Sequence, residues 1–134
     1  MTIVIPGVPV PQGRPKFARR GNFVTTYDPD KSRKWKAHVK EHAEGQVTEL
    51  FASEIPLHIS AMFYMPGPKS VSVAKRPFHT VKPDVDNLVK GLTDALTGIC
   101  WVDDAQIVEI RACKEYSENP QTVLTVEAYV KAQF

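Results

Sequence analysis

The sequence predicts an α+β fold: one domain, with a mixed β-sheet and two main helices packed on it. Three observations point there. The chain has 134 residues, one domain's worth, long enough to bury a core without disulfides. The stretch Leu57–Met65 alternates apolar and polar residues with a period of two. Two other stretches repeat apolar residues every three to four positions, and two helices on one face of a sheet is the simplest way to bury both stripes.

The elements follow in order. Thr2–Ile5 reads as a short strand. Arg14–Tyr27 (RPKFARRGNFVTTY) reads as a basic hairpin turning at Gly21-Asn22. Asp28-Pro29-Asp30 is a helix start, with a capping Asp and Pro at the first helical position. Trp35, Val39, Ala43 and Val47 then recur at fours, predicting a helix over about 29–47. Leu57 begins the alternating strand. Residues 66–82 hold three prolines and no period; a loop this long in a small domain suggests function or disorder. Leu88, Leu92, Ala95, Leu96 and Ile99 mark a second helix over about 86–97, ended near Gly98. Gln106–Tyr116 and Thr122–Val130 read as two strands, joined into a hairpin by Ser117-Glu118-Asn119-Pro120.

Charge is segregated. Net charge is only +2. Residues 1–40 carry nine Lys/Arg against two Asp, residues 41–66 four Glu and no base, and residues 67–82 four Lys/Arg and no acid. Residues 83–134 carry nine acids against four bases. Such blocks can be ordinary solvated faces, or can hold a polyanion with one part and a cation with another. Cys100 and Cys113 sit near predicted strands and read as free thiols in a reducing compartment. The opening MTIVIPGVPVPQG lacks the features of a signal peptide, and no apolar run approaches membrane-spanning length, so the expected setting is the cytoplasm.

The informative stretch is Lys82–Gln106, KPDVDNLVKGLTDALTGICWVDDAQ. Asp84 and Asp86 are two apart where the chain enters the second helix, so in extended backbone they share a side. The helix start also favours anions, so capping is the plain alternative. Asp103 and Asp104 follow the helix and lead into a strand. If that strand lies beside the helix start, Asp104 or Asp103 can join Asp84 and Asp86. Converging carboxylates are costly without a cation, and Mg²⁺ takes oxygen ligands and keeps several waters. Such a metal can activate water against a phosphodiester. Lys90 stands one turn after Asp86: it can steady transition-state charge, or simply form a surface pair. Asp94, a turn further on, reads as structural support. A rival metal motif, His38-Val39-Lys40-Glu41-His42, matches the inverted zinc-protease pattern but needs a third ligand.

The stretch PDVDNLVKGLTDAL, followed by WVDDAQIV, resembles the signature of the RusA family of Holliday-junction resolvases. That pattern is Asp-x-Asp-Asn, a Lys four after the second Asp, Asp-Ala-Leu, then Asp-Asp-x-Gln at a strand start. The N-terminal GRPKF before a basic hairpin and the lysine-rich loop also fit. The departure is loop 66–82, longer and more basic than in the shortest members. The resemblance implies that Asp84, Asp86 and Asp104 are essential acids, Lys90 an essential lysine, and Asp103 a neighbouring acid at the metal. It implies Mg²⁺ dependence, with Mn²⁺ as a substitute, a homodimer, and paired symmetric nicks across a four-way DNA junction. Under it, Arg14, Lys16, Arg19, Arg20, Lys69, Lys75, Arg76 and Lys82 contact phosphates. Phe17, Phe23 or Phe78 either stack on opened bases or pack in the core. A non-catalytic branched-DNA-binding module is the alternative, though it would not need Asp84, Asp86, Asp104 and Lys90 together.

Overall fold

A computed structural model describes residues 1–67 and 77–131. Strands β1 (Thr2–Pro6), β2 (Lys16–Arg20) and β3 (Phe23–Tyr27) precede helix α1 (Asp30–Glu44). Strand β4 (Leu57–Pro66), helix α2 (Val85–Leu96), a 3-10 turn (Asp104–Gln106), and strands β5 (Ile107–Ser117) and β6 (Gln121–Ala128) follow. Both helices match their apolar stripes. Helix α1 ends at Glu44 rather than near residue 47, and Val47 N–H bonds the Ala43 carbonyl while its side chain packs against the core.

The main sheet has the order β1-β6-β4-β5, mixed as expected. Strand β4 pairs parallel with β5 and antiparallel with β6. The predicted β5–β6 hairpin is therefore wrong: those strands flank β4, and Glu118–Pro120 carry the chain over its end. The reason lies in burial. Leu57, Ile59, Ala61, Phe63 and Met65 are all buried, so β4 takes the centre. Strand β5, bearing Glu109, Arg111, Lys114 and Glu115, takes an edge, where charge is tolerated.

Ile3, Ile5, Leu124 and Val126 extend the core face of β4, and Trp35, Val39, Leu88, Leu92 and Leu96 cover it from the helices. The N-terminal segment crosses α2 closely: Gln12 N–H donates to the Asn87 carbonyl at 2.9 Å. Gly91 makes room for that crossing, since a Cβ there would lie 3.2 Å from the Gln12 nitrogen and 3.3 Å from the Val10 oxygen. The β2–β3 hairpin forms a separate two-stranded sheet with an exposed surface, turning at Gly21 with φ +61°. Among the described residues, no helix is long and apolar enough to cross a membrane. Cys100 is buried, which pushes its thiol pKa up to about 11; Cys113 is half-buried.

Candidate functional site

Asp84 caps α2 with extended backbone but makes no side-chain capping bond. Residue 85 is already helical, so Asp86 falls in the first turn. Helical backbone rotates successive side chains instead of alternating them, and the two carboxylates line different clefts. Asp84 faces a groove with Lys31, Met65, Lys82 and Asn87. Asp86 faces a cleft of about 450 Å³ that it shares with Lys90, Asp94 and Asp104. Val85, Val89, Ile110 and Ala112 supply apolar walls to that cleft.

Asp104 is fixed by local sequence. After α2 the chain turns at Gly98 (φ +84°) and buries Trp101 fully. The Trp101 indole Nε1–H donates to Asp104 Oδ1 at 2.6 Å, and the Thr97 hydroxyl donates to the same oxygen at 2.5 Å. Asp103 plays a different part. Its carboxylate accepts from Ala105 N–H at 2.9 Å and caps the 3-10 turn. Gln106 completes the corner. Its Oε1 accepts from Val102 and Asp103 N–H, both at 3.0 Å, and its Nε2 donates to Ala52 and Ile55 carbonyls.

Lys90 is held by a chain of charges. Its Nζ lies 3.6 Å from Asp94 Oδ2, and Lys36 approaches the same oxygen at 3.9 Å. Lys36 Nζ in turn donates to Asp28 Oδ2 at 2.8 Å, while Gln12 Nε2 donates to Oδ1 at 2.8 Å. The Lys36 bond holds the Asp28 carboxyl below its ordinary pKa, against the opposing effect of burial. Sequence reasoning missed Asp28 and Lys36 as members of this relay. Their separation along the chain leaves no spacing signal, whereas Thr97 and Trp101 lie within seven residues of Asp104.

Among the described residues, no three His, Cys, Asp or Glu side chains gather closely enough to enclose a metal ion unaided. The zinc-protease rival lacks its third ligand among the described residues, and His38 Nε2 contacts the Pro6 carbonyl while His42 Nδ1 contacts the His38 carbonyl. Of the basic residues, Arg14 lines a groove with Asn87, Lys90 and Asp94. Lys16, Arg19 and Arg20 are exposed on the hairpin, and Lys82 is exposed beside Asp84. Lys69, Lys75 and Arg76 lie outside the described residues. Core packing is excluded for the three phenylalanines: Phe17, Phe23 and Phe78 are 72%, 76% and 59% exposed.

Comparison with known proteins places the chain in a family. The chain is 37% identical over 129 residues to the uncharacterized protein YqaN of Bacillus subtilis (strain 168), covering 90% of both chains. It is 35% identical over 74 residues to the crossover junction endodeoxyribonuclease rusA of Lactococcus phage r1t, covering 53% of each. The profile of the family described as endodeoxyribonuclease RusA matches residues 6–127, nearly the whole domain, including both acidic segments. The chain belongs to the RusA endodeoxyribonuclease family.

Proposed function

We propose that the protein is a magnesium-dependent endonuclease that resolves four-way DNA junctions by paired, symmetric nicks, working as a homodimer. The observation that carries this reading is the shared cleft: two carboxylates, Asp86 and Asp104, with Lys90 beside them. One or two carboxylates completed by water and substrate phosphate oxygens is a normal way to hold Mg²⁺. Asp86 and Asp104 would hold the ion, with Asp84 entering from the neighbouring groove as DNA binds. Bound there, Mg²⁺ supplies Lewis acidity and a water of lowered pKa at the scissile phosphodiester; Mn²⁺ has compatible chemistry.

The residues around the ion have separable roles. Thr97 and Trp101 occupy Asp104 Oδ1, leaving Oδ2 for a ligand. Asp103 acts by shaping the corner that presents Asp104. The Lys90 ammonium, steadied by Asp94, donates to phosphate oxygens as charge builds in the transition state. Lys82 and Arg14 line grooves beside Asp84 and Lys90, and Lys16, Arg19 and Arg20 stand exposed on the hairpin; all five bind phosphates without reading sequence. The exposed Phe17 and Phe23 on the same hairpin offer stacking surfaces to bases opened at the crossover, each worth about 1–3 kcal/mol.

The test is a synthetic four-way junction incubated with the protein, with Mg²⁺ or with chelator. Paired nicks carrying ligatable 5′-phosphates, lost in chelator, are expected. A protein that binds the junction but never cuts it in Mg²⁺ or Mn²⁺ would be the non-catalytic module instead. Binding should also weaken steeply with salt; affinity unchanged by salt would remove the phosphate contacts.

A further inference from the structure

The outer edge of β5 remains exposed in a way that its charge at the sheet margin does not explain. Val108 and Ile110 are 57% and 50% exposed, and Ile110 lines the Asp86–Lys90–Asp104 cleft. Tyr116 N–H donates outward to the Pro77 carbonyl at 2.8 Å, and the Lys114 carbonyl accepts outward from His79 N–H at 3.4 Å. Those contacts close the edge from residue 114 onward. At the other end the strand begins at Ile107, directly after the 3-10 turn Asp104–Gln106. Among the described residues, 107–113 is the open stretch, and its midpoint is Ile110. Outward groups recur every second residue, so Ala112 and Ile110 also point their N–H and C=O groups away from β4.

We propose that this edge pairs antiparallel with the same edge of a second copy, about a two-fold axis through Ile110 and normal to the sheet. The proposal rests on the homodimeric nuclease reading above and gives it an interface. Such an axis keeps each side chain on its own face, so opposing residues must both be odd or both be even in number. Centring on Glu109 or Arg111 sets a like charge against itself, and centring on Ala112 sets Glu109 against Glu115. Centring on Val108 places the axis where pairing with β4 shifts register. Centring on Ile110 sets Glu109 against the second copy's Arg111, and Arg111 against its Glu109. Both charges lie on the face away from the helices, since Arg111 pairs with Ser60 and Glu109 with His58, whose Nδ1 lies 3.1 Å from Glu109 Oε1. Ile110 meets its own counterpart on the helix-covered face, with Val108 and Ala112 flanking the contact. The two Ile110 residues exchange two backbone hydrogen bonds. The segment Ile-Val-Glu-Ile-Arg-Ala-Cys is thus its own chemical complement when reversed, and the joined sheet carries both clefts on one face, on either side of the axis. A two-fold DNA substrate can meet both at once.

Sedimentation of the full chain tests this by charge exchange. Arg111→Glu should weaken the dimer about 100-fold or more, as should Glu109→Arg, because each sets two like-charged pairs across the axis. The doubly exchanged variant should recover it; failure to recover, or a dimer indifferent to either single change, overturns the interface. A second measurement keeps the test sound if a charge variant misfolds. In a Cys113→Ser background, Ile110→Cys should cross-link across the axis on mild oxidation, while Val24→Cys, on the exposed hairpin, should not. Equal cross-linking of the two, or none at Ile110, overturns the register. Junction nicking scored in parallel separates the two claims: nicking by a monomer rejects the interface and the homodimer but leaves the nuclease, and a dimer without nicking rejects the nuclease reading alone.

Discussion

Gln106 shows how one side chain sets the geometry of a site it does not enter. It is 6% exposed, and its amide makes four hydrogen bonds that tie the Val102–Asp103 backbone to the Ala52 and Ile55 carbonyls. Gln106→Ala would strand those groups in a dry environment. The expected loss is about 3 kcal/mol, read as a lower urea midpoint with unchanged slope; an unchanged midpoint would mean water satisfies the corner equally well. Asp104 depends on its neighbours more narrowly. Thr97→Val removes one of two donors to Oδ1, and should slow junction cleavage about tenfold while leaving junction affinity intact. Equal losses in both would make Thr97 a binding residue. These roles were partly legible. The Asp-Asp-x-Gln spacing was visible and offered Asp103 as a metal ligand beside Asp104, but it did not show that the Asp103 carboxylate accepts from the Ala105 amide. The relay from Asp28 through Lys36 to Asp94 and Lys90 was not visible, because only the packing of α1 on α2 brings those residues together.

At the scale of elements, periodicity found α1, α2 and β4 to within a few residues, because each has one buried stripe or face, whereas the exposed β2–β3 hairpin is legible from its turn at Gly21-Asn22. Helix α2 carries a feature that periodicity does not report. Alanine is normally about 1 kcal/mol better than glycine inside a helix. At Gly91 the added methyl meets the Val10–Gln12 backbone, itself tied to Asn87, so Gly91→Ala should lower Tm by about 3–6 °C. A raised Tm would show that the crossing segment yields. The strap Pro77–His79 is also testable. His79 is buried against Tyr116, ring centroids 4.9 Å apart, and burial, aided by the Lys114 charge, holds its pKa below 6.5. The folded state thus binds this proton less readily than the unfolded one. Its stability contribution is whole above 6.5 and falls as pH drops below 6.5 toward the folded value. Urea midpoints should therefore fall between about pH 7.5 and about pH 5.5 more in the wild type than in His79→Gln. Parallel curves would place the acid sensitivity elsewhere.

For the whole molecule, the strand order escaped the sequence, and physics explains why. A three-residue connection between β5 and β6 reads locally as a hairpin, yet three residues can also span the about 9.6 Å across one intervening strand. The choice depends on which strand needs cover on both edges, and the fully buried alternation of β4 decides it. That order places β5, and so Asp104 at its approach, beside the start of α2, where Asp86 and Lys90 stand. The shared cleft therefore depends on the long-range topology, although Asp86, Lys90 and Asp104 were candidates from their spacing. The basic N-terminal block and the acidic cleft are likewise separate in sequence, and Arg14 reaches the groove that contains Lys90 and Asp94.

The central claim is that Asp86 and Asp104 act as one unit on a phosphodiester, and single-turnover cleavage of a saturating four-way junction measures it. Asp86→Asn and Asp104→Asn should each slow nicking by at least about 1000-fold, and the double substitution should be no slower than the worse single one, since groups acting as a unit do not lose rate additively. Rapid nicking by Asp104→Asn, or losses that multiply in the double variant, would contradict the shared site.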